Sequence, residues 1–152
     1  MAKLLVAGQI KLRLRRELRF VPEEITDWED RDFLPVFNKS HSEGVLIAFL
    51  EPLRVMPFRL QKRTANTIGR VEAIICDICA TWQRGSSSAV ITFPKENSSI
   101  SFLVCADLNC SLHVRNKTEQ AKLSRTQLRE NNTVEQRVER LKTRLRNMAC
   151  QD

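Results

Sequence analysis

The sequence predicts an α+β fold, in which a small antiparallel sheet is closed by a C-terminal amphipathic helix. Three features predict it: two β-rich runs joined by a short polar connection, one capped helical stripe near the C-terminus, and four cysteines set as two close pairs. A chain of 152 residues with 42% hydrophobic content can bury one modest core and is not expected to be disordered. That size suits a single domain with or without an appendage. The expected division is a basic segment over residues 1–21 and a folded domain over 22–152.

Residues 1–20 hold six Lys/Arg against one Glu, and IKLRLRREL alternates apolar and basic residues, which suits either a strand or a short helix. The sign then reverses. EEITDWEDRD (23–32) carries six acids and one Arg, with Asp30 and Asp32 placed to accept contacts from the basic segment or to lie on a solvated face. DFLPVFNKSHSEG (32–44) reads as a turn-rich connection punctuated by Pro35 and Gly44. VLIAFLEPLRVMPFRLQKR (45–63) reads as two strands, the first apolar throughout. Pro52 and Pro57 lack a ladder donor, so a strand holding either lies at an edge or ends there.

A further strand over Arg70–Ile75 is expected to run into Cys76. Trp82, next in line, is read as core packing. AVITF (89–93) and ISFLV (100–104) flank PKENSS, the pattern of a β-hairpin whose second strand delivers the chain to Cys105. From Ser111 onward the pattern is helical. Thr133 and Gln136 have the spacing of a capping box, and Val134, Val138, Leu141, Leu145 and Met148 recur at steps of four and three. This stripe spans only about two heptads, so it is expected to pack on the domain rather than form a coiled coil. Arg137, Arg140, Lys142, Arg144 and Arg146 are expected on its outer surface.

Four of the five cysteines fall as Cys76-x2-Cys79 and Cys105-x4-Cys110, separated by the predicted hairpin. Two close pairs flanking one hairpin can converge on a single point. Zinc takes about four soft donors in a tetrahedron, and short pairs on tight turns supply two each. The order of knuckle, hairpin and ligand-bearing helix is that of a treble-clef zinc finger. Four thiolates close the coordination sphere, so the expected role of the zinc is structural, with no position for an activated water. His113, three residues past Cys110, is either a helix-surface residue or a substitute for Cys110. Metal-free buried thiols and a redox CxxC are the competing readings, and the second leaves Cys105 and Cys110 unexplained. Cys150 stands apart as a bystander thiol.

No metalloprotease, nucleophile-triad, P-loop or dinucleotide motif occurs, and there are only two histidines, so neither an enzyme nor a small-molecule substrate is expected. No run approaches the roughly 18 apolar residues of a membrane span. The N-terminal apolar run is short and its basic residues follow it, so a signal peptide is not expected and a reducing, cytoplasmic setting is. A net charge of +7 favours acidic or phosphate-bearing partners.

CDICATW, GSSSAVITF, VCADLNCSLHVR and VEQRVERL together resemble the C-terminal treble-clef zinc-finger domain of the elongation factor G-binding proteins, which include the FusB-type fusidic acid resistance proteins. The resemblance spans residues 22 to 146. It implies a cytoplasmic bacterial protein that binds elongation factor G at the ribosome and, in resistance members, promotes its release. It also implies Cys76, Cys79, Cys105 and Cys110 as the zinc ligands. Resistance members carry an N-terminal helical domain longer than residues 1–21, so a housekeeping role is the other reading. Contact residues consistent with a protein-binding role are Asp77 and Ile78 in the knuckle, Arg84 in the next loop, and Lys95 and Glu96 at the hairpin tip. Arg115 and Lys117 could join them from the following helix. The rival is ribosomal RNA binding, because the chain from Ser111 holds ten Lys/Arg against five acids. Against it, the hairpin lacks the interleaved aromatics of a base-stacking platform.

Overall fold

The computed structural model describes residues 17–19, 24–66 and 68–150. Within them the strands are β1 (Phe33–Phe37), β2 (Glu43–Ala48), β3 (Arg54–Lys62), β4 (Ile74–Ile75), β5 (Trp82–Gln83), β6 (Ser88–Pro94) and β7 (Ser99–Cys105). The helices are α1 (Cys110–Val114), α2 (Glu119–Gln127) and α3 (Val134–Ala149). The main sheet is antiparallel with order β1-β2-β3-β6-β7, and β4 pairs with β5 as a separate short ribbon. The α+β reading holds, with both β6–β7 hairpin strands one residue longer at each end than the apolar runs alone mark. The boundary expected at residue 21, the reading of IKLRLRREL up to residue 16 and the acid at position 23 lie outside the described residues.

Strand alternation sorts the sheet into two faces. Phe33, Leu46, Phe58, Leu60, Ala89, Ile91, Phe93 and Val104 point to the main core, joined there by Leu141, Leu145 and Met148 of α3. Leu34, Val36, Val45 and Ile47 point the other way and are covered by Leu18 and Ile25. α3 is therefore a docked helix, as its stripe predicts. Each of Leu141 and Leu145, fully buried, contributes about 1.5–3 kcal/mol. Its capping box is formed, since Gln136 N–H donates to Thr133 Oγ1 and Thr133 N–H donates to Gln136 Oε1. The outer surface is less basic than expected. Arg137 is buried and donates to Asn116 Oδ1 and Thr133 O, because it sits one turn from the cap where the helix meets the preceding loop.

Several expectations are corrected. Residues 32–44 are not all connection. Phe33–Phe37 is an edge strand, and only residues 38–42 turn. The prolines explain how this is possible. Asn38 N–H donates to Glu43 O, so the donors facing β2 alternate from Asn38 and Pro35 faces outward, where no ladder bond is needed. Pro57 lies inside β3, a strand flanked on both sides. Leu60 N–H donates to Ser42 O, so Pro57 faces the β6 side, and pairing with β6 begins only at Arg59. The strand expected over Arg70–Ile75 shrinks to Ile74–Ile75. The helix expected from Ser111 is three helices, broken first where Asn116 takes a left-handed φ of 58°. Trp82 is half-buried and belongs to neither core cluster.

Asp30 and Asp32 do not serve the basic N-terminus among the described residues, where Glu24 takes an exposed contact from Arg19 at 3.5 Å. Asp32, 5% exposed, takes a bidentate pair from Arg115 at 2.6 and 3.1 Å, and its N–H donates to Ser111 Oγ at 3.0 Å. Asp30 pairs with Lys117, and that hydrogen bond is the chief reason its carboxyl titrates below the usual range. Arg31 donates to Asn109 Oδ1. The segment before β1 is thus strapped to α1 by charge-assisted bonds, the stronger kind.

Gly44 pairs with Phe37 on one side and Phe58 on the other. A Cβ there would lie 2.3 Å from Val36 O and 2.9 Å from Phe58 Cζ. Gly44→Ala is expected to cost about 1–3 kcal/mol of stability. Urea unfolding followed by circular dichroism measures it, and an unchanged midpoint would contradict this packing.

Candidate metal centre

Three elements deliver the four sulfurs, the knuckle supplying two of them. Cys76 follows β4, Cys79 closes the knuckle, Cys105 ends β7 and Cys110 opens α1. The knuckle forms because Ala80 N–H donates to Cys76 O and Cys76 N–H donates to Thr81 O, at 2.8 and 2.9 Å. Closing so tight a turn puts Ala80 at φ +58°, the left-handed region that disfavours a Cβ. Asp77 then fastens the knuckle to the free edge of β7, its N–H donating to Leu103 O and its Oδ2 accepting from Leu103 N–H, each at 2.7 Å. From α3, Arg144 donates to the carbonyls of Cys76 and Asp77 at 3.2 and 3.1 Å.

All four cysteines are at most 1% exposed, and their Sγ atoms lie within 4.8 Å of one another. Cys76 Sγ is 3.8 Å from Cys110 Sγ, and Cys79 Sγ is 3.5 Å from Cys105 Sγ. Sulfurs about 2.3 Å from a central zinc stand ~3.8 Å apart in a tetrahedron, so the set fits that ion. The protonation pattern also fits. Burial would raise the Cys76 thiol, but hydrogen bonds from Cys105, Cys110 and Cys79 outweigh it and hold Cys76 well below the ordinary thiol range. Burial, then the facing sulfurs, push Cys110 well up. The Cys105–Cys110 hydrogen bond favours a Cys105 thiolate, yet Cys76, Cys79 and burial together push Cys105 well up. A divalent cation binds the thiolate form of each sulfur, so its binding displaces the protons that burial and the facing sulfurs favour.

His113 is not on the surface. It is fully buried, with Nε2 3.3 Å from Asp107 Oδ1 and Nδ1 2.7 Å from Thr118 Oγ1. Both ring nitrogens are engaged, and Cys110 rather than His113 completes the sulfur set. Nε2–H donating to Asp107 and Nδ1 accepting from Thr118 satisfy every partner, since Thr118 Oγ1 also accepts from Ala121 N–H to cap α2. Asp107 also accepts from Asn109 N–H. The wide Cys105–Cys110 loop is thereby tied to the start of α2.

A family profile described as FBP C-terminal treble-clef zinc-finger matches residues 14–151. The chain belongs to that family. Neither the curated proteins nor the solved structures provide a match to it. A treble-clef zinc finger with a buried four-cysteine cluster has structural zinc as its cofactor. Cys150, exposed at the end of α3, stands outside the cluster.

Of the seven residues expected to meet a partner, the treble clef exposes Asp77, Arg84, Glu96 and Lys117, and half-buries Lys95. Ile78 is a correction. It is fully buried, because the knuckle turns its side chain into the core beside the cysteines. Arg115 is a second. Its side chain is only 16% exposed and is spent on Asp32, and Lys117 is bound to Asp30. Sequence reasoning missed Thr81, Asp107 and Arg144, all of which brace the metal centre.

Zinc uptake is expected to release protons, so affinity rises with pH across the neutral range. Calorimetric titration of apo protein in buffers of different ionisation enthalpy reads that release directly. Relieving the left-handed alanine through Ala80→Gly is expected to stabilise the zinc-loaded fold by about 0.5–1 kcal/mol, as a higher thermal midpoint.

Proposed function

We propose that the protein is a non-catalytic binding module, held rigid by zinc on Cys76, Cys79, Cys105 and Cys110, that binds elongation factor G on or near the ribosome and promotes its release. Resistance-like and housekeeping versions of that role share the same contact. The observation that carries the reading is the family match over residues 14–151. The geometry supports it. Asp77, Arg84, Lys95 and Glu96 stand on the knuckle, the loop after it and the hairpin tip, elements that the metal orders beforehand, which lowers the entropic cost of docking. No described helix is long and apolar enough to cross a membrane.

The RNA reading loses its main support in the structure. Three of the five cations on α3 are spent on the protein itself: Arg137 on Asn116, Arg140 on Glu130 and Arg144 on the knuckle carbonyls. A helix whose guanidiniums hold the fold together offers fewer charges to phosphates than its composition promises.

Purified elongation factor G is expected to bind the immobilised, nuclease-treated protein, and Arg84→Glu with Lys95→Glu to weaken that binding by about tenfold or more. Zinc content should be unchanged in the double variant. A protein that retains ribosomal RNA and ignores the factor would refute the reading.

A further inference from the structure

The four sulfurs are not equivalently held. Among the described residues, only Thr81 brings a side-chain hydroxyl to one of them. Its Oγ1 is 2.7 Å from Cys79 Sγ and 3.9 Å from Cys105 Sγ. Thr81 is 4% exposed and Gln83, behind it, 1% exposed. Gln83 Nε2–H donates to Thr81 Oγ1 at 3.1 Å. A hydroxyl has a single proton, and with one lone pair already filled by the Gln83 amide, that proton is left for sulfur. The backbone fixes the donor further, because Thr81 O accepts from Cys76 N–H across the knuckle.

We propose that Thr81 is a positioning residue of the metal centre, its hydroxyl aimed by Gln83 to donate to Cys79 Sγ and so to retain that sulfur on the ion. A thiolate bound to zinc keeps lone pairs that can accept such a bond. Accepting it makes the sulfur less basic and less nucleophilic, so it is slower to take up a proton or meet an electrophile and leave the metal. The relay from Gln83 to Thr81 to Cys79 is dry along its whole length, where an aimed hydrogen bond counts for most. Gln83 and Thr81 stand on and just before β5, so the strand that closes the knuckle also steadies its second ligand.

Valine matches threonine in shape without the hydroxyl, and serine keeps the hydroxyl without the methyl, so the pair separates donation from packing. The test follows zinc transfer from the full-length, zinc-loaded protein to a chromogenic chelator, with the sulfur-to-metal charge-transfer band of the cobalt(II) form as a second readout. Thr81→Val is expected to release zinc about tenfold faster, the lower end of what loss of an outer hydrogen bond to a ligand costs, and to shift the cobalt band to lower energy. Thr81→Ser should restore both to near wild type. Gln83→Met, which keeps the hydroxyl but removes the group that aims it, should move both the same way, and it carries the test if Thr81→Val does not fold. Wild-type release and an unshifted band in both Thr81→Val and Gln83→Met would overturn the inference, as would a Thr81→Ser protein as fast as Thr81→Val. In those cases stoichiometric zinc in every variant would leave the metal centre itself standing. A wild-type protein without zinc would overturn both.

Discussion

The convergence of four buried sulfurs is the constraint on which the rest of the structure depends. Cys76 and Cys79 come from a two-stranded ribbon, Cys105 from the edge of the main sheet and Cys110 from a five-residue helix. The knuckle and the five-residue helix are too short to hold their own places. A four-residue knuckle and a single helical turn lose more in backbone entropy than they gain in contacts. Shared coordination makes the ordering of each conditional on the others, which is how metal binding becomes folding free energy in small domains.

Around that point the polar side chains are arranged as braces. Arg144 reaches from α3 to the knuckle carbonyls, Asp77 ties the knuckle to β7, and His113 spans from the Asp107 loop to the cap of α2. Arg115, on the last turn from Cys110, anchors the acidic segment before β1 through Asp32. Each brace is a charged or buried hydrogen bond in a place where a missing partner would be expensive. The high net charge is therefore misleading as a guide to partners. Much of the basic C-terminal half is consumed within the fold, Arg115 on Asp32 and Arg144 on the knuckle carbonyls among it.

Particular residues show what can and cannot be inferred from composition and spacing. The β6–β7 hairpin and α3 were legible because each carries its own local signal: β-branched alternation around a short polar turn, and a capping box before a regular apolar stripe. The cysteine pairs were legible because ligand chemistry demands close spacing. β1 was not, because Pro35 looks like a breaker until the strand is known to lie at the edge with that position facing outward. Ile78 and Arg115 looked like surface residues because exposure depends on what packs against a position. The same holds for His113, whose burial required Asp107 and Thr118 to meet it from either side.

By itself the sequence determined the β6–β7 hairpin, the metal-ligand chemistry and the capped, apolar-striped last helix, since those are properties of residues a few positions apart. The tertiary structure alone decided which charges remain free and which distant side chains brace the metal centre. Those contacts join residues far apart in the chain, as Asp32 to Arg115 and Arg144 to Cys76 do, and no local pattern records a neighbour that arrives only when the chain closes on itself.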